Sequence, residues 1–373
     1  VNSVDVCHAH LGELDAAGRR RALSVAGGLD FASNDYLGLA TSPLLRDAAI
    51  EALRGGVPIG SGGSRLLRGN HACHQALEEE AARIFGSEAA LFTGSGFAAN
   101  SLIFSTLPQR GDLIVYDELV HASAHEGFRL SRAEASAFAH NDIAGARRVI
   151  AQWRAHGGRG NVWIAFETLY SMDGDFAPVD ALAELAQAEG AVLVADEAHA
   201  IGVYGPSGRG LAAHLHARGD TIVLATCGKA LGCEGALILL PAIMRDFLVN
   251  RGRNFIFSTA PSPLVAAIAH AALDLAIRAD DRRDALRRLK EHAMRRFGAI
   301  GLESGTSHII PIVIGEDAQT MRIAGKLQAN GLDVRGIRPP SVPQGTARLR
   351  ISLTLNVDRP DIDLLADTLK ELL

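Results

Sequence analysis

Lys229 stands in the turn Thr226-Cys227-Gly228-Lys229-Ala230-Leu231-Gly232, directly after the apolar run Thr221–Ala225. An ammonium is costly to hold near an apolar core. Such a lysine is either a surface residue at a strand end or an amine placed for chemistry. Asp196 poses the same question, because it follows the apolar residues 191–195 and opens Asp196-Glu197-Ala198-His199. A carboxylate in that position is partly desolvated and wants a cationic partner. Gly94-Ser95-Gly96 follows the apolar residues 89–93 and precedes a helix predicted to begin near Phe97. Free amides at a helix start, with glycines allowing close approach, suit a phosphate. Ser171-Met172-Asp173-Gly174-Asp175 follows residues 162–167. Ser171 or Asp173 could act in a site, and an ordinary Asp-Gly turn accounts for the segment as well.

Two chemistries compete for this set. An acidic ATPase motif would use Asp196 and Glu197 for magnesium and water, and it requires G-x-x-x-x-G-K-[ST] upstream. The chain's Gly-Lys pairs, Gly228-Lys229 and Gly325-Lys326, lie downstream and lack both the hydroxyl and the first glycine. That reading fails. The other is pyridoxal phosphate (PLP) chemistry. It needs a lysine for attachment, an aspartate against the ring nitrogen and a helix start for the phosphate. The glycine turn, the carboxylate, His199 three residues beyond it and the lysine fit PLP together, in this order along the chain.

The elements that must position these residues follow from the apolar pattern. Short apolar strands are predicted at 89–93, 113–116, 162–167, 191–196, 221–226 and 236–240, with helix-period segments between them. Uniformly apolar strands alternating with helices argue for a mostly parallel sheet covered on both faces. A long helix is predicted over 74–85. Asp142 is expected to cap a helix running to about Trp153, and Asp180 to open one ending at Gly190. After Pro261 the pattern changes to helices near 264–278 and 281–297, strands at 309–314 and 348–353, and a final helix over 361–372. The expected division is an N-terminal arm (1–38), a large α/β domain (39–262) and a smaller C-terminal α+β domain (263–373). Gly60-Ser61-Gly62-Gly63-Ser64-Arg65 has no strand before it and lacks the GxGxxG pattern, so it reads as a flexible or close-packed loop.

The chain has 373 residues, is 48% hydrophobic and carries a net charge of −5, which allows a large core and two lobes. The charges are interspersed, so neither nucleic acid nor an anionic membrane is an expected partner. Cys7, Cys73, Cys227 and Cys233 show no pairing logic and, like the histidines, no zinc spacing, so no metal is expected. Residues 1–30 lack a sustained apolar segment and the longest apolar patch, 235–244, is too short for a bilayer, so a cytoplasmic protein is expected.

The segments Phe31–Gly38, Gly60–Arg65, Gly96–Asn100, His121-Ala122-Ser123, Ser171–Asp175, Asp196–His199 and Thr226–Gly232 resemble those of the α-oxoamine synthases. These are PLP enzymes of fold type I that condense an amino acid with an acyl-CoA and release CO2. The resemblance runs from about residue 10 to the C-terminus. It implies a seven-stranded sheet domain with a smaller C-terminal domain, and a homodimer with its sites at the subunit interface. It also implies roles. Lys229 would carry the cofactor, Asp196 would face the ring nitrogen, His199 the phenolic oxygen and His121 the ring face. Gly96, Phe97 and Thr226 would hold the phosphate and Ser171 the ring. Arg350 would receive the amino-acid carboxylate, Arg19 the acyl substrate, and Asn34 and Ser341 would line the substrate side. Ile337–Arg350 is similar to the branch that uses L-alanine and a pimeloyl thioester, carried by CoA or a carrier protein. Glycine with acetyl-CoA is the alternative within the family. An aminotransferase or a non-catalytic binding protein is the alternative outside it. Ala200 after His199 and Cys233-Glu234 after the lysine turn depart from the family pattern.

Overall fold

A computed structural model describes residues 2–23, 25–303 and 305–373. The chain divides into two compact units. One comprises residues 34–171 and 175–285; the other comprises 1–33, 172–174 and 286–373. Relative to the expected boundaries, the arm to Ser33 groups with the C-terminal residues, and residues 263–285 group with the large unit.

The large unit is built on seven strands: β2 (Ala89–Thr93), β3 (Leu113–Asp117), β4 (Glu134–Phe138), β5 (Val162–Glu167), β6 (Val192–Asp196), β7 (Thr221–Thr226) and β8 (Ala236–Leu240). Their order is β2-β8-β7-β6-β5-β3-β4, with β8 antiparallel to both neighbours and every other pairing parallel. The helices of this unit include α2 (Pro43–Arg54), α3 (Ala72–Phe85), α4 (Gly96–Thr106), α5 (Ala122–Leu130), α6 (Ile143–Ala155), α7 (Val179–Glu189), α8 (Ala242–Arg251), α9 (Arg253–Ile256) and α10 (Pro263–Ile277). Strands β2, β5, β7 and β8 are buried along their whole length, as uniformly apolar strands covered on both faces should be. The expected strands and helices of this unit are present. Asp142 caps α6, whereas α7 starts at Val179, so that Asp180 lies inside its first turn. Strand β4 was not anticipated. Its sequence, Glu134-Ala135-Ser136-Ala137-Phe138, is largely exposed at the sheet edge and carries little apolar signal.

The second unit holds α1 (Ser3–Ala16), a three-stranded antiparallel sheet and a two-stranded pair. The sheet runs β11-β12-β9, from Arg335–Ile337, Ala347–Ser352 and Ile309–Gly315. The pair joins β1 (Leu29–Asp30) to β10 (Leu332–Asp333). Helix α11 (Asp280–Ala299) contains the boundary between the units, and α12 (Asp317–Ala329) and α13 (Arg359–Leu372) complete the second one. Helix α13 opens with a capping box between Asp358 and Asp361. No helix among the described residues is long and apolar enough to cross a membrane.

Candidate active site

Alternation along the strands decides which side chains share a face. Trp163 and Ala165 of β5, Val194 of β6, and Ile222 and Leu224 of β7 form one apolar cluster with Ala99, Leu102 and Ile103 of α4 and Ala124 and Phe128 of α5. Two residues further along each strand, the same face ends in a polar group: Glu167, Asp196 and Thr226. Glu167 and Asp196 are register partners across the β5–β6 pair. Three apolar stripes therefore finish in an acid, an acid and a hydroxyl beyond the carboxyl ends of parallel strands, where open α/β sheets hold ligands.

Asp196 is held by two neutral donors. The Ala198 amide donates to Oδ1 at 2.9 Å and Asn100 Nδ2, from α4, donates to Oδ2 at 2.8 Å. Both bonds fix where its two oxygens point. Asn100 also donates to Ser123 Oγ at 2.9 Å, and Ser123 Oγ lies 2.8 Å from His121 Nδ1. His121 caps α5, with Nδ1 accepting the Ser123 amide at 3.2 Å. That bond places the proton of the neutral ring on Nε2. Desolvation lowers the His121 pKa, the Asp196 charge opposes this and the Lys229 charge adds to it. Neutral imidazole is the form suited to lie against an aromatic ring.

His199 is buried, and the Tyr36 hydroxyl lies 2.6 Å from its Nδ1 and 2.9 Å from Asn34 Oδ1. Tyr36 is fully buried, so the imidazole and Asn34 share one rigid anchor. Lys229 is half-buried in a turn tied by the amides of Gly232 to Lys229 O (2.8 Å), Cys233 to Cys227 O (2.9 Å) and Cys227 to Gly235 O (2.8 Å). The departure at Cys233-Glu234 is thus accommodated inside a bonded turn. Gly232 is required there, because its φ is +63° and a Cβ would lie 2.3 Å from the Ala40 amide.

Helix α4 begins where β2 ends. Ser95 caps it by accepting the Ala98 amide at 3.1 Å, which leaves the Gly96 and Phe97 amides ahead of the first intrahelical bond. Thr226 Oγ1 belongs to the same place: a Cβ built on Gly96 would lie 3.8 Å from it. The protein itself would tolerate a methyl group at Gly96, and that methyl would occupy the space between the amides and the hydroxyl. Ser171, buried, donates its amide to Glu167 Oε2 at 3.1 Å. Lys229, Asp196, His199, His121, Ser171, Thr226, Gly96, Phe97 and Asn34 all belong to the large unit. This donor set fits PLP: amides and a hydroxyl for a phosphate, a carboxylate aimed by two neutral donors for a pyridinium, and a primary amine for the aldehyde.

Arg350, Arg19 and Ser341 belong to the second unit. Arg350 is buried in β12 and donates to Ser352 Oγ at 2.8 Å. Nearby His308 is pushed down to about 3 by burial and then by the Arg350 charge, so it stays neutral. Arg19 grips Asp317 Oδ2 through Nε (3.1 Å) and Nη2 (2.8 Å). Ser341 Oγ accepts from Arg21 at 3.4 Å.

Three residues were missed as members of the site: Glu167, Asn100 and Tyr36. Glu167 carried the same signal as Asp196, an acid ending an apolar strand. Asn100 and Tyr36 lie inside the segments that carry the family resemblance, but only their partners in the fold give them a purpose.

The family model for aminotransferase class I and II matches residues 26–369. The chain is 42% identical over 348 residues to the 8-amino-7-oxononanoate synthase of Acidithiobacillus ferrooxidans, covering 92% of this chain and 88% of that one. It is 43% identical over 339 residues to the enzyme of the same name from Geobacter sulfurreducens, covering 89% and 85%. Among solved structures, a serine palmitoyltransferase from S. paucimobilis with bound PLP and myriocin superposes with a TM-score of 0.89 at 25% identity, covering 99% of this chain and 96% of that one. An 8-amino-7-oxononanoate synthase from Francisella tularensis gives 0.76 at 27% identity, covering 92% and 97%.

Proposed function

The chain belongs to the 8-amino-7-oxononanoate synthases within the class I and II aminotransferase family, and from that premise we propose that it condenses L-alanine with a pimeloyl thioester, releasing CO2, as a step of biotin synthesis. The observation that carries the reading is the convergence of Asp196, His121, His199, Thr226 and the α4 start on the strand edge that also presents Lys229. PLP, when bound, withdraws the electron pair left at the alanine Cα.

The protein's own groups do the rest. The Gly96 and Phe97 amides and Thr226 Oγ1 hold the phosphate, with the positive end of α4 behind them. Asp196 keeps the ring nitrogen protonated, since an adjacent anion favours a cation's protonated form by about 1–3 pKa units. Asn100 and the Ala198 amide aim that carboxylate. His121 would face the ring, and Ser171 and His199 would help orient it. Lys229 Nζ would anchor the cofactor and serve as the base for the alanine Cα proton. The Cα then bonds to the acyl carbon, the C–S bond breaks and the thiol leaves. The original carboxylate departs as CO2 and a proton returns to Cα. Arg350 orients the alanine carboxylate through a paired guanidinium contact. Arg19, Asn34 and Ser341 serve the acyl and substrate side, with Arg19 exchanging Asp317 for the substrate. The working form is a cytoplasmic homodimer with its sites at the subunit interface. A sedimentation mass near twice the 39.4 kDa chain mass would support the dimer.

The test is product formation by purified holoenzyme with alanine and pimeloyl-CoA, followed as thiol release and by mass spectrometry. Efficient turnover of glycine with acetyl-CoA and none of alanine with pimeloyl-CoA would overturn the substrate assignment.

A further inference from the structure

Glu167 ends β5 beside Asp196 on the face that also carries Thr226, yet the proposed reaction gives it no task. Its side of the strand is otherwise apolar, it is only 3% exposed, and it is the in-register neighbour of another acid. Oε2 accepts the Ser171 amide at 3.1 Å, while Oε1 has no hydrogen-bond partner. Glu167 also lines, with Asn100, His121 and Asp196, a cavity of about 10 Å³, about what one water requires.

We propose that Glu167 is a positioning residue of the cofactor site: as an uncharged carboxylic acid it holds the Ser171 backbone and leaves Asp196 as the single anion of the β5–β6 strand ends. The acid proton sits on Oε1 and donates to a water in the small cavity, while Oε2 keeps the amide.

The alternative, a second carboxylate, would place like charges side by side in a desolvated setting, and such pairs cannot both ionise readily. Burial raises the Glu167 pKa well above the usual carboxylate range and the Asp196 charge raises it further; the Lys229 charge, then the Ser171 and His121 amides, oppose the shift without reversing it. An ionised Glu167 would also share any cationic ring with Asp196 and draw it sideways. A neutral one leaves the ring's partner unambiguous and still orders Ser171. This role rests on reading the pocket as a PLP site.

The experiment compares wild type, Glu167→Gln, Glu167→Leu and Asp196→Asn. Infrared difference spectra of wild type minus Glu167→Gln at neutral pH should show a carboxylic-acid carbonyl band assignable to Glu167. PLP titration should show Glu167→Leu weakened about tenfold, because the Ser171 amide loses its acceptor. Glu167→Gln, neutral and able to accept the same bond, should restore affinity to within about threefold and leave the pH midpoint of the bound cofactor's visible band unmoved. A general packing role would not produce that rescue. Absence of the acid band, a Gln variant as weak as Leu, or a midpoint displaced by about one pH unit, the shift expected from removing a nearby charge, would each overturn the proposal. Should Leu fail to fold, the infrared band and the Gln titration still decide. Failure of wild type to take up PLP at all would overturn the reading of the whole site and this role with it, a result distinct from an ionised Glu167 in a site that binds PLP.

Discussion

Strands β3 and β5 are neighbours in one sheet, and both end in a buried acid, but the two acids live in opposite circumstances. Asp117, at the end of β3, is fully buried and saturated. Oδ1 accepts the Leu119 amide at 2.9 Å and lies 3.0 Å from His140 Nδ1, and Oδ2 accepts the Asn141 amide at 2.8 Å. His140 is held at its other nitrogen by Asp175, 2.8 Å away. At the ends of β5 and β6, Glu167 has an oxygen with no hydrogen-bond partner among the described residues, and Asp196 is aimed by two neutral donors. A saturated acid costs little to keep and stabilises the loops around it. An acid that the protein's own groups leave incomplete costs free energy until a bound water or a ligand supplies the missing partner. The difference separates a structural cluster from a functional one on the same sheet edge.

Several substitutions would break or sharpen this contrast. Lys229→Ala should have the largest effect, lowering turnover by about 10⁴-fold or more and eliminating any borohydride-fixed PLP adduct seen by mass spectrometry. An adduct that persisted would place the attachment point elsewhere. Asp196→Asn should reduce kcat/KM by about 10- to 1000-fold while the thermal midpoint hardly moves, since the amide can occupy the same space. A large loss of stability with normal turnover would put Asp196 in the same class as Asp117.

His140→Ala should do the reverse, lowering stability by about 1–3 kcal/mol in chemical denaturation and changing kcat/KM much less. Burial alone would lower the His140 pKa, but hydrogen bonds to Asp117 and Asp175 outweigh it and raise the pKa above 6.5. Its charged contribution is therefore complete below pH 6.5 and fades as the pH rises through the raised value. The wild-type advantage over His140→Ala should shrink from pH 6 to pH 9; a constant gap would mean that packing alone matters.

The smallest effect concerns His216, buried edge-on against Phe85 with ring centroids 5.4 Å apart and pushed down to about 4 by burial. A histidine kept neutral in the fold loses stability as the pH falls from 6.5 toward that value, by at most about 1.4 kcal/mol per pH unit. His216→Phe should flatten this acid limb in urea titrations at pH 7 and 5. An unchanged slope would assign acid sensitivity to other groups.

Much of the large unit was legible because its signals are local. Apolar runs of five or six residues marked β2, β5, β7 and β8 to the residue, and Asp142 marked the α6 cap. Strand β4 escaped because an edge strand with two exposed faces needs no apolar stripe. The site was legible wherever a polar residue interrupted such a run, as at Asp196 and in the turn after Thr226. Glu167 meets the same criterion, but the Ser171–Asp175 turn four residues beyond it carries the more conspicuous polar groups.

The sequence by itself determined the types and order of the reacting groups and the alternation within each strand, because a strand's period is set by its own backbone; the registers of β5, β6 and β7 then bring Glu167, Asp196 and Thr226 to one face. Only the tertiary structure decided that Asn100 meets Asp196, that Tyr36 braces His199 across 163 residues of chain, and that one buried acid is saturated while its neighbour is not. Those facts depend on which strands pair and which helix lies over them. Pairing and packing are long-range choices, made by burial and hydrogen bonding summed over the whole sheet, and no short stretch of sequence carries that sum.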